Sequence, residues 1–158
     1  MPKFILDGVS KDDYDAAGSK FITMTPEEKA AGRAYRDVEV GELAWDTPGR
    51  SMMIPVVIKE KGVDEGKKEK VSFGISTEAI FKGKEMYRNI CGKDMPFEKG
   101  SDSKQHPAPD SDALLGKKAV GYWEMATGKK GGTGADVQYP KLVSILSAGS
   151  KPTAKASL

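Results

Sequence analysis

The side chains in this 158-residue chain with the clearest potential for binding chemistry are cations that lie close to aromatic rings. One such group surrounds Tyr122 and Trp123, and a second joins Trp45 to Arg50 across a Pro-Gly turn. Proteins that bind single-stranded nucleic acids use cations to contact phosphates and aromatic faces to stack on bases, at about 1–3 kcal/mol per base. The candidate nucleic-acid-binding residues are therefore Trp45, Arg50, Lys117, Lys118, Tyr122, Lys129 and Lys130.

The residue types that ordinarily carry out catalysis are scarce or poorly placed. The one histidine, His106, lies in a polar loop, and the one cysteine, Cys91, ends an amphipathic helix where a buried thiol is expected. Residues 128–134 are rich in Gly and Lys but lack the spacing and the following helix of a phosphate-binding loop. We predict a protein that is not an enzyme, with no metal, no cofactor and no small-molecule substrate.

Charge is distributed unevenly although the net charge is only +2. Residues 116–158 carry seven Lys against two acidic residues, a net of +5, whereas residues 1–50 carry a net of −3. A basic last third can bind a polyanion on one face, although lysines also serve simply to solubilise loops and tails. No apolar run approaches the roughly 18–20 residues of a membrane span, and no signal peptide is recognisable, so we expect no membrane partner and a cytoplasmic location.

Alternating apolar and polar residues predict several short strands. They cover residues 37–45, 51–58, 71–75 and 118–125, with shorter candidates at 137–139 and 141–146. Pro55 predicts an edge strand or a bulge in the second of these, because proline cannot donate to a strand ladder. Residues 59–70, 98–112 and 127–134 are predicted as loops. Within the strand near residue 120, Tyr122 and Trp123 must face opposite sides, and the more apolar row favours Trp123 inward and Tyr122 outward.

Helix signals accompany these strands. Thr25 and Pro26 predict the start of a short helix, and Ser76 with Gly92 bound the clearest helix of the chain. The expected fold is mainly β (α+β): a small OB-like or curled β-barrel with one inserted helix. We predict an extended N-terminal arm over residues 1–36, the β-barrel-like binding domain over 37–146, and a flexible tail over 147–158.

The segment from Ser111 to Met125, which contains a Leu-Leu-Gly-Lys-Lys step into a strand, resembles a family of small phage and prophage proteins. The turn that begins at Trp45 and the strand at 52–58 lie where that family has its first hairpin, so the resemblance covers residues 37–146. Members are often encoded with replication or recombination genes, and many are described as single-stranded DNA-binding. The resemblance implies a non-catalytic, DNA-binding accessory protein of phage type, acting in the host cytoplasm. This chain departs from many single-strand binders in its basic tail at 150–158, which puts a role in recruiting replication partners in doubt.

Two function hypotheses follow. In the first, a homo-oligomer binds single-stranded DNA without sequence preference, with Lys117, Lys118, Lys129 and Lys130 on phosphates and Tyr122 or Trp45 on bases. In the second, the chain is a virion or filament structural protein, such as a capsid-decorating or tail subunit, with an arm and an exposed strand edge that join subunits. A third option, an adaptor or inhibitor of host proteins, has no feature that supports it directly.

Overall fold

The structure, a computed structural model, describes residues 3–8, 11, 14, 21–129 and 136–151 of the chain. Within residues 21–129 and 136–151 it contains three helices: α1 (Pro26–Ala31), α2 (Ile80–Cys91) and α3 (Ser111–Leu114). It also contains eight strands, all in antiparallel sheets: β1 (Arg33–Val40), β2 (Ala44–Thr47), β3 (Ser51–Ile58), β4 (Lys68–Gly74), β5 (Phe97–Lys99), β6 (Gln105–Pro107), β7 (Lys118–Lys129) and β8 (Asp136–Leu146).

Six of the strands form one curled sheet, in which β4, β3, β1, β7 and β8 follow one another. The first predicted strand, 37–45, is in fact two strands, β1 and β2, which are separated by residues 41–43. Both pair with the same edge of β3: β1 with residues 56–58 and β2 with residues 51–53. β4 pairs along the other edge of β3, so β3 is a central strand.

Pro55 is therefore not in an edge strand. The amide of Gly41 donates to the carbonyl of Pro55 at 2.8 Å, so this side of Pro55 faces the interruption between β1 and β2. A proline has no N–H to donate, and the position costs no ladder bond because the neighbouring strand is broken there. The alternative prediction of a bulge is also wrong, since the β3–β4 ladder runs through Pro55 without a register shift and the interruption lies in the neighbouring strand.

The core lies between the sheet and α2. Gly83 on α2 sits against the Phe73 ring so closely that an added Cβ would be 2.3 Å from a ring carbon. This approach brings α2 down onto β4 and buries Met86, Tyr87 and Ile90 on the helix. The predicted arm also contributes, since Ile22 and Met24 are buried in the same cluster and β1 begins at Arg33.

The two outer strands of the sheet, β4 and β8, approach each other, but among the described strands no ladder joins them. A link across the interior comes from the Trp123 indole, whose Nε1 donates to Glu69 Oε2 at 2.7 Å. The predicted class, mainly β with one long inserted helix, is confirmed, and the sheet curls without closing into a barrel. No described helix is long and apolar enough to cross a bilayer.

Several predicted loops are shorter than expected. β7 continues to Lys129, and β8 runs from Asp136 through Pro140 to Leu146 as one strand, so the two short strands predicted there are a single element. β7 pairs with β1 as far as Glu124. After that point, residues 125–129 of β7 pair in a strand ladder only with residues 136–140 of β8, and the two strands extend from the sheet as a hairpin. The predicted loop at 98–112 contains the β5–β6 hairpin, and β4 begins at Lys68, inside the predicted loop at 59–70.

Candidate nucleic-acid interface

Three of the four lysines predicted to contact phosphates lie within the described residues, and these three do not lie together. Lys117 and Lys118 are exposed at the start of β7, whereas Lys129 is at its other end, 12 residues along. At about 3.3 Å per residue, the two ends of β7 are separated by about 36 Å. Lys130 lies outside the described residues. That these lysines contact phosphates stays a prediction, and the three that the structure describes are spread along β7 and do not form one compact cluster.

Tyr122 and Trp123 face opposite sides of the sheet, in the orientation that the apolar row predicted. Trp123 is 0% exposed and belongs to the core. Tyr122 is half-buried and packs against Tyr35 of β1, with 5.0 Å between the ring centroids. The Tyr122 ring thus lies on the outer face, partly covered by a neighbouring aromatic ring.

Trp45 and Arg50 flank the turn between β2 and β3, as predicted. Trp45 pairs with Met52, which pairs with Phe73 of β4, so these three side chains share the inner face of the sheet. The position is at the end of the sheet, where Trp45 remains 49% exposed. Arg50 is exposed, and its backbone amide closes the turn onto the carbonyl of Thr47 at 2.9 Å.

β4 contributes two cations that the sequence-based prediction placed in a loop. Val71 and Phe73 on β4 point into the core, and alternation places Lys68 and Lys70 on the outer face. The register sets these lysines beside half-buried apolar residues of β3: Val57 opposite Lys68 and Pro55 opposite Lys70. The outer face of β3 and β4 is thus an apolar row with a cationic border.

A cleft of about 530 Å³ opens between the edges of β4 and β8, where the barrel is not closed. The side chains that line it come from four parts of the chain: Phe21, Lys68, Glu69, Lys70, Val71, Ser72, Lys82, Tyr139, Pro140, Lys141 and Leu142. At this cleft Phe21 and Tyr139 pack against each other, with ring centroids 5.4 Å apart. Four lysines and an aromatic pair therefore meet at one opening.

The electrostatics of the cleft favour an anion. Partial burial lowers the pKa of Lys82, and the neighbouring charge of Lys141 lowers this pKa further. Lys70 is paired with Asp46 at 2.7 Å, but within the described ranges no carboxylate pairs with Lys68, Lys82 or Lys141. Three cations thus border the cleft without a neutralising partner among the described residues.

Glu69 is the one acidic side chain among the described residues that line this cleft. It points inward from β4 to accept the hydrogen bond of Trp123. The pKa of Glu69 is raised from 4.5 to about 7: burial raises it most, the Trp123 hydrogen bond opposes the rise, and the charges of Asp64 and Lys67 raise and lower it by smaller amounts. The charge of the cleft therefore changes close to neutral pH.

A second cavity, of about 710 Å³, lies beside Arg36 between α1 and the β3–β4 loop. Its centre is an ion cluster in which the Arg36 guanidinium donates to both carboxylate oxygens of Glu28, at 2.5 and 2.7 Å, and to the Thr23 carbonyl. Asp64, 5% exposed, accepts from the Thr23 amide at 2.9 Å and from Lys67. These groups satisfy one another, so the cluster fastens residues 21–28 to the sheet.

The lysines and aromatics of the cleft escaped the sequence-based prediction because they are far apart in the chain. One available signal was the alternation of β4, which extends back from Phe73 through Val71 to Glu69 and leaves Lys68 and Lys70 on the other face. No comparable signal places Lys82 opposite Lys141. Among the described residues, no group of His, Cys, Asp and Glu side chains is arranged to hold a metal ion.

Comparison with family models, with curated protein sequences and with solved structures yields no match to this chain.

Proposed function

We propose that this protein binds single-stranded DNA without sequence preference, as a non-catalytic accessory of phage-type replication or recombination. We propose further that the DNA enters the cleft between β4 and β8. The observation that carries the proposal is the meeting of Lys82 and Lys141 beside the aromatic pair of Phe21 and Tyr139. Cations that border a groove and rings that offer stacking faces are the two components of single-strand binding sites.

The lysine arrangement supports this proposal because it is unfavourable in the free protein. Lys82 comes from α2 and Lys141 from β8, and the charge of one lowers the pKa of the other in a partly desolvated opening. A phosphodiester between the two ammonium groups replaces this repulsion by two attractions. Each contact also releases a counterion, so affinity should fall steeply as salt rises.

The order of the strands also supports DNA binding at this surface. In oligonucleotide-binding barrels, ligands lie on the face of the second and third strands and against the loops that follow the first and fourth. The equivalent surfaces here are the β3–β4 face with Lys68 and Lys70, the β2–β3 turn with Trp45 and Arg50, and the base of the β7–β8 hairpin. The β2–β3 turn contains the predicted site residues Trp45 and Arg50, whereas Lys129 lies at the far end of the hairpin, away from its base.

The lysines at the start of β7 would take a peripheral place on this surface. The strand register aligns one residue from each of four neighbouring strands: Lys118 of β7, Glu39 of β1, Val57 of β3 and Lys68 of β4. Three strand spacings separate Lys118 from Lys68, about 14 Å at 4.8 Å each. Glu39 lies between them and pairs with Lys59 at 3.6 Å, so we assign Lys117 and Lys118 a smaller share of the binding than the cleft lysines.

The test measures binding of fluorescein-labelled oligo-dT by anisotropy at several salt concentrations, with the K82Q/K141Q variant against a charge-matched control. The control, K84Q/K93Q, removes two exposed lysines from the same helix and the residue after its cap. We expect the cleft variant to bind about tenfold more weakly at about 0.1 M salt. Its salt slope should be shallower by about 1.4, because each lost single-strand phosphate contact contributes about 0.7.

The control variant should retain the wild-type salt slope, and an oligonucleotide duplex should compete poorly. Equal affinities for the cleft variant and the control would contradict the placement of the site. Absence of any binding by the wild type at about 20 mM salt would contradict the function itself.

The structural-subunit alternative keeps one supporting observation. Phe4, Ile5 and Leu6 are exposed by 86, 84 and 73%, and three consecutive exposed apolar side chains are typical of a segment that docks on another subunit. The structural-subunit alternative loses the exposed strand edge predicted from Pro55, since Pro55 is in a central strand. Light scattering without DNA separates the two functions, because a large ordered assembly is expected only for a virion or filament protein.

A further inference from the structure

We infer that Glu69 takes up a proton when a polyanion enters the cleft between β4 and β8, so that the affinity of this site for nucleic acid is set by pH. The inference rests on the proposed function and adds its regulation. It starts from composition: among the described residues that line the cleft there are four lysines and a single carboxylate. The ionisation of that carboxylate alone decides whether the lining carries one negative charge.

The position of Glu69 prevents it from turning away from the cleft. Its Oε2 accepts the indole hydrogen of Trp123 at 2.7 Å, and Trp123 is fully buried. A neutral carboxylic acid can still accept this hydrogen bond through its carbonyl oxygen, so protonation does not require the side chain to move. The Trp123 contact therefore holds Glu69 at the cleft in both charge states.

The charged groups around Glu69 come from every element at the cleft. Lys68 and Lys70 flank it on β4, Lys82 faces the opening from α2, and Lys141 faces it from β8. On the β3–β4 loop, Asp64 disfavours the ionised form of Glu69 and Lys67 favours it. Asp64 and Lys67 pair with each other at 2.9 Å, which leaves burial as the dominant influence on the carboxyl.

Occupancy of the cleft by phosphates adds negative charge and removes water, and both changes favour the neutral acid. Since the pKa of Glu69 is already raised to about 7, chiefly by burial, a further rise on binding draws a proton from solvent near neutral pH. By linkage, affinity then decreases as pH rises, by at most tenfold per pH unit for one proton. We expect wild-type affinity for oligo-dT to fall about three- to tenfold from about pH 6 to about pH 8.

The experiment compares wild type with E69Q at constant ionic strength, both in an H106Q background. Glutamine keeps the hydrogen-bond acceptor for Trp123 and cannot ionise. The H106Q change removes the one histidine, the side-chain type that ordinarily changes charge in this pH interval. E69Q should bind oligo-dT with nearly the same affinity at both pH values, close to the wild-type affinity at low pH.

Proton uptake is measured directly by calorimetric titration with oligo-dT at about pH 7.5 in two buffers of different ionisation enthalpy. The wild type should take up a fraction of one proton per binding event and E69Q none. Equal pH dependence and equal proton uptake in the two proteins would overturn this inference and leave DNA binding intact. Failure of both proteins to bind oligo-dT at any pH would overturn the proposed function and the inference with it.

Discussion

Replacing Gly83 by alanine should destabilise the protein, because the close approach of α2 to β4 leaves no room for a methyl group. The added Cβ would lie 2.3, 2.5 and 2.8 Å from three ring carbons of Phe73. Ordinary carbon–carbon contacts begin near 3.4 Å, so ring and helix must separate by about 1 Å. Phe73 is 3% exposed and packed in the core, so the ring cannot move into solvent to make space.

Two opposing effects set the magnitude. Forcing an extra carbon into a well-packed core costs about 1–3 kcal/mol, and the contact with a buried ring places G83A near the upper value. Alanine in place of glycine inside a helix contributes about 1 kcal/mol in the other direction. We therefore expect G83A to lower the free energy of unfolding by about 2 kcal/mol, with its sign decided by packing.

Urea unfolding followed by circular dichroism measures this change, with a lower midpoint and an unchanged slope. K84A, on the exposed face of the same helix, is the control and should change stability by less than about 0.5 kcal/mol. In an F73L background, where the ring is absent, G83A should cost much less, and this difference is the coupling energy of a double-mutant cycle. A stabilising G83A, or equal costs in the two backgrounds, would refute the packing argument.

Two further predictions concern buried charges. R36M should lower the free energy of unfolding by about 3 kcal/mol, because it leaves Glu28 without its cation and removes one of the two cations beside the buried Asp64, which keeps Lys67. K59M, which breaks an exposed pair, should cost less than about 1 kcal/mol. For Glu69 the folded-state pKa is raised from 4.5 to about 7, so ionisation penalises the fold fully above about pH 7 and not below about pH 4.5. Thermal melts should therefore show the same free energy of unfolding for E69Q and wild type near pH 4.5, and a value about 1–2 kcal/mol higher for E69Q near pH 8. The shift in pKa sets an upper limit of about 3 kcal/mol, and the expected gain is smaller because the side chain is only partly buried. A gain of equal size at both pH values would show that the raised pKa is not its cause.

Local features of the sequence were sufficient to identify much of the secondary structure. Thr25 caps α1 through a capping box with Glu28, and Gly92 ends α2 in the left-handed conformation with φ of 75°. These features depend on hydrogen bonds within a few residues, which is why residue types alone reveal them. The alternation in β3 and β4 likewise requires only that one face be buried. Ser76 is an exception, since it closes a turn and α2 begins four residues later, at Ile80.

Loop lengths and strand positions depended on partners distant in the chain. The Gly/Lys segment after Thr127 has weak local strand signals, yet Thr127 and Gly128 pair with Gln138 and Val137 because two antiparallel strands already in register continue to exchange backbone hydrogen bonds. Pro55 illustrates the same dependence, since a proline is tolerated in a central strand only where the neighbouring strand is interrupted.

The sequence by itself determined that the chain is mainly β with one substantial helix and that cations and aromatics recur along it, and it favoured Trp123 over Tyr122 as the residue that faces the core. Only the tertiary structure decided which of them meet. The curl of the sheet brings β8 toward β4, and the close contact of Gly83 with Phe73 packs α2 against β4. Lys82, Lys141 and Phe21 therefore share one opening. Strand pairing and helix packing join residues more than a hundred positions apart, and the spacing of residue types does not encode that proximity.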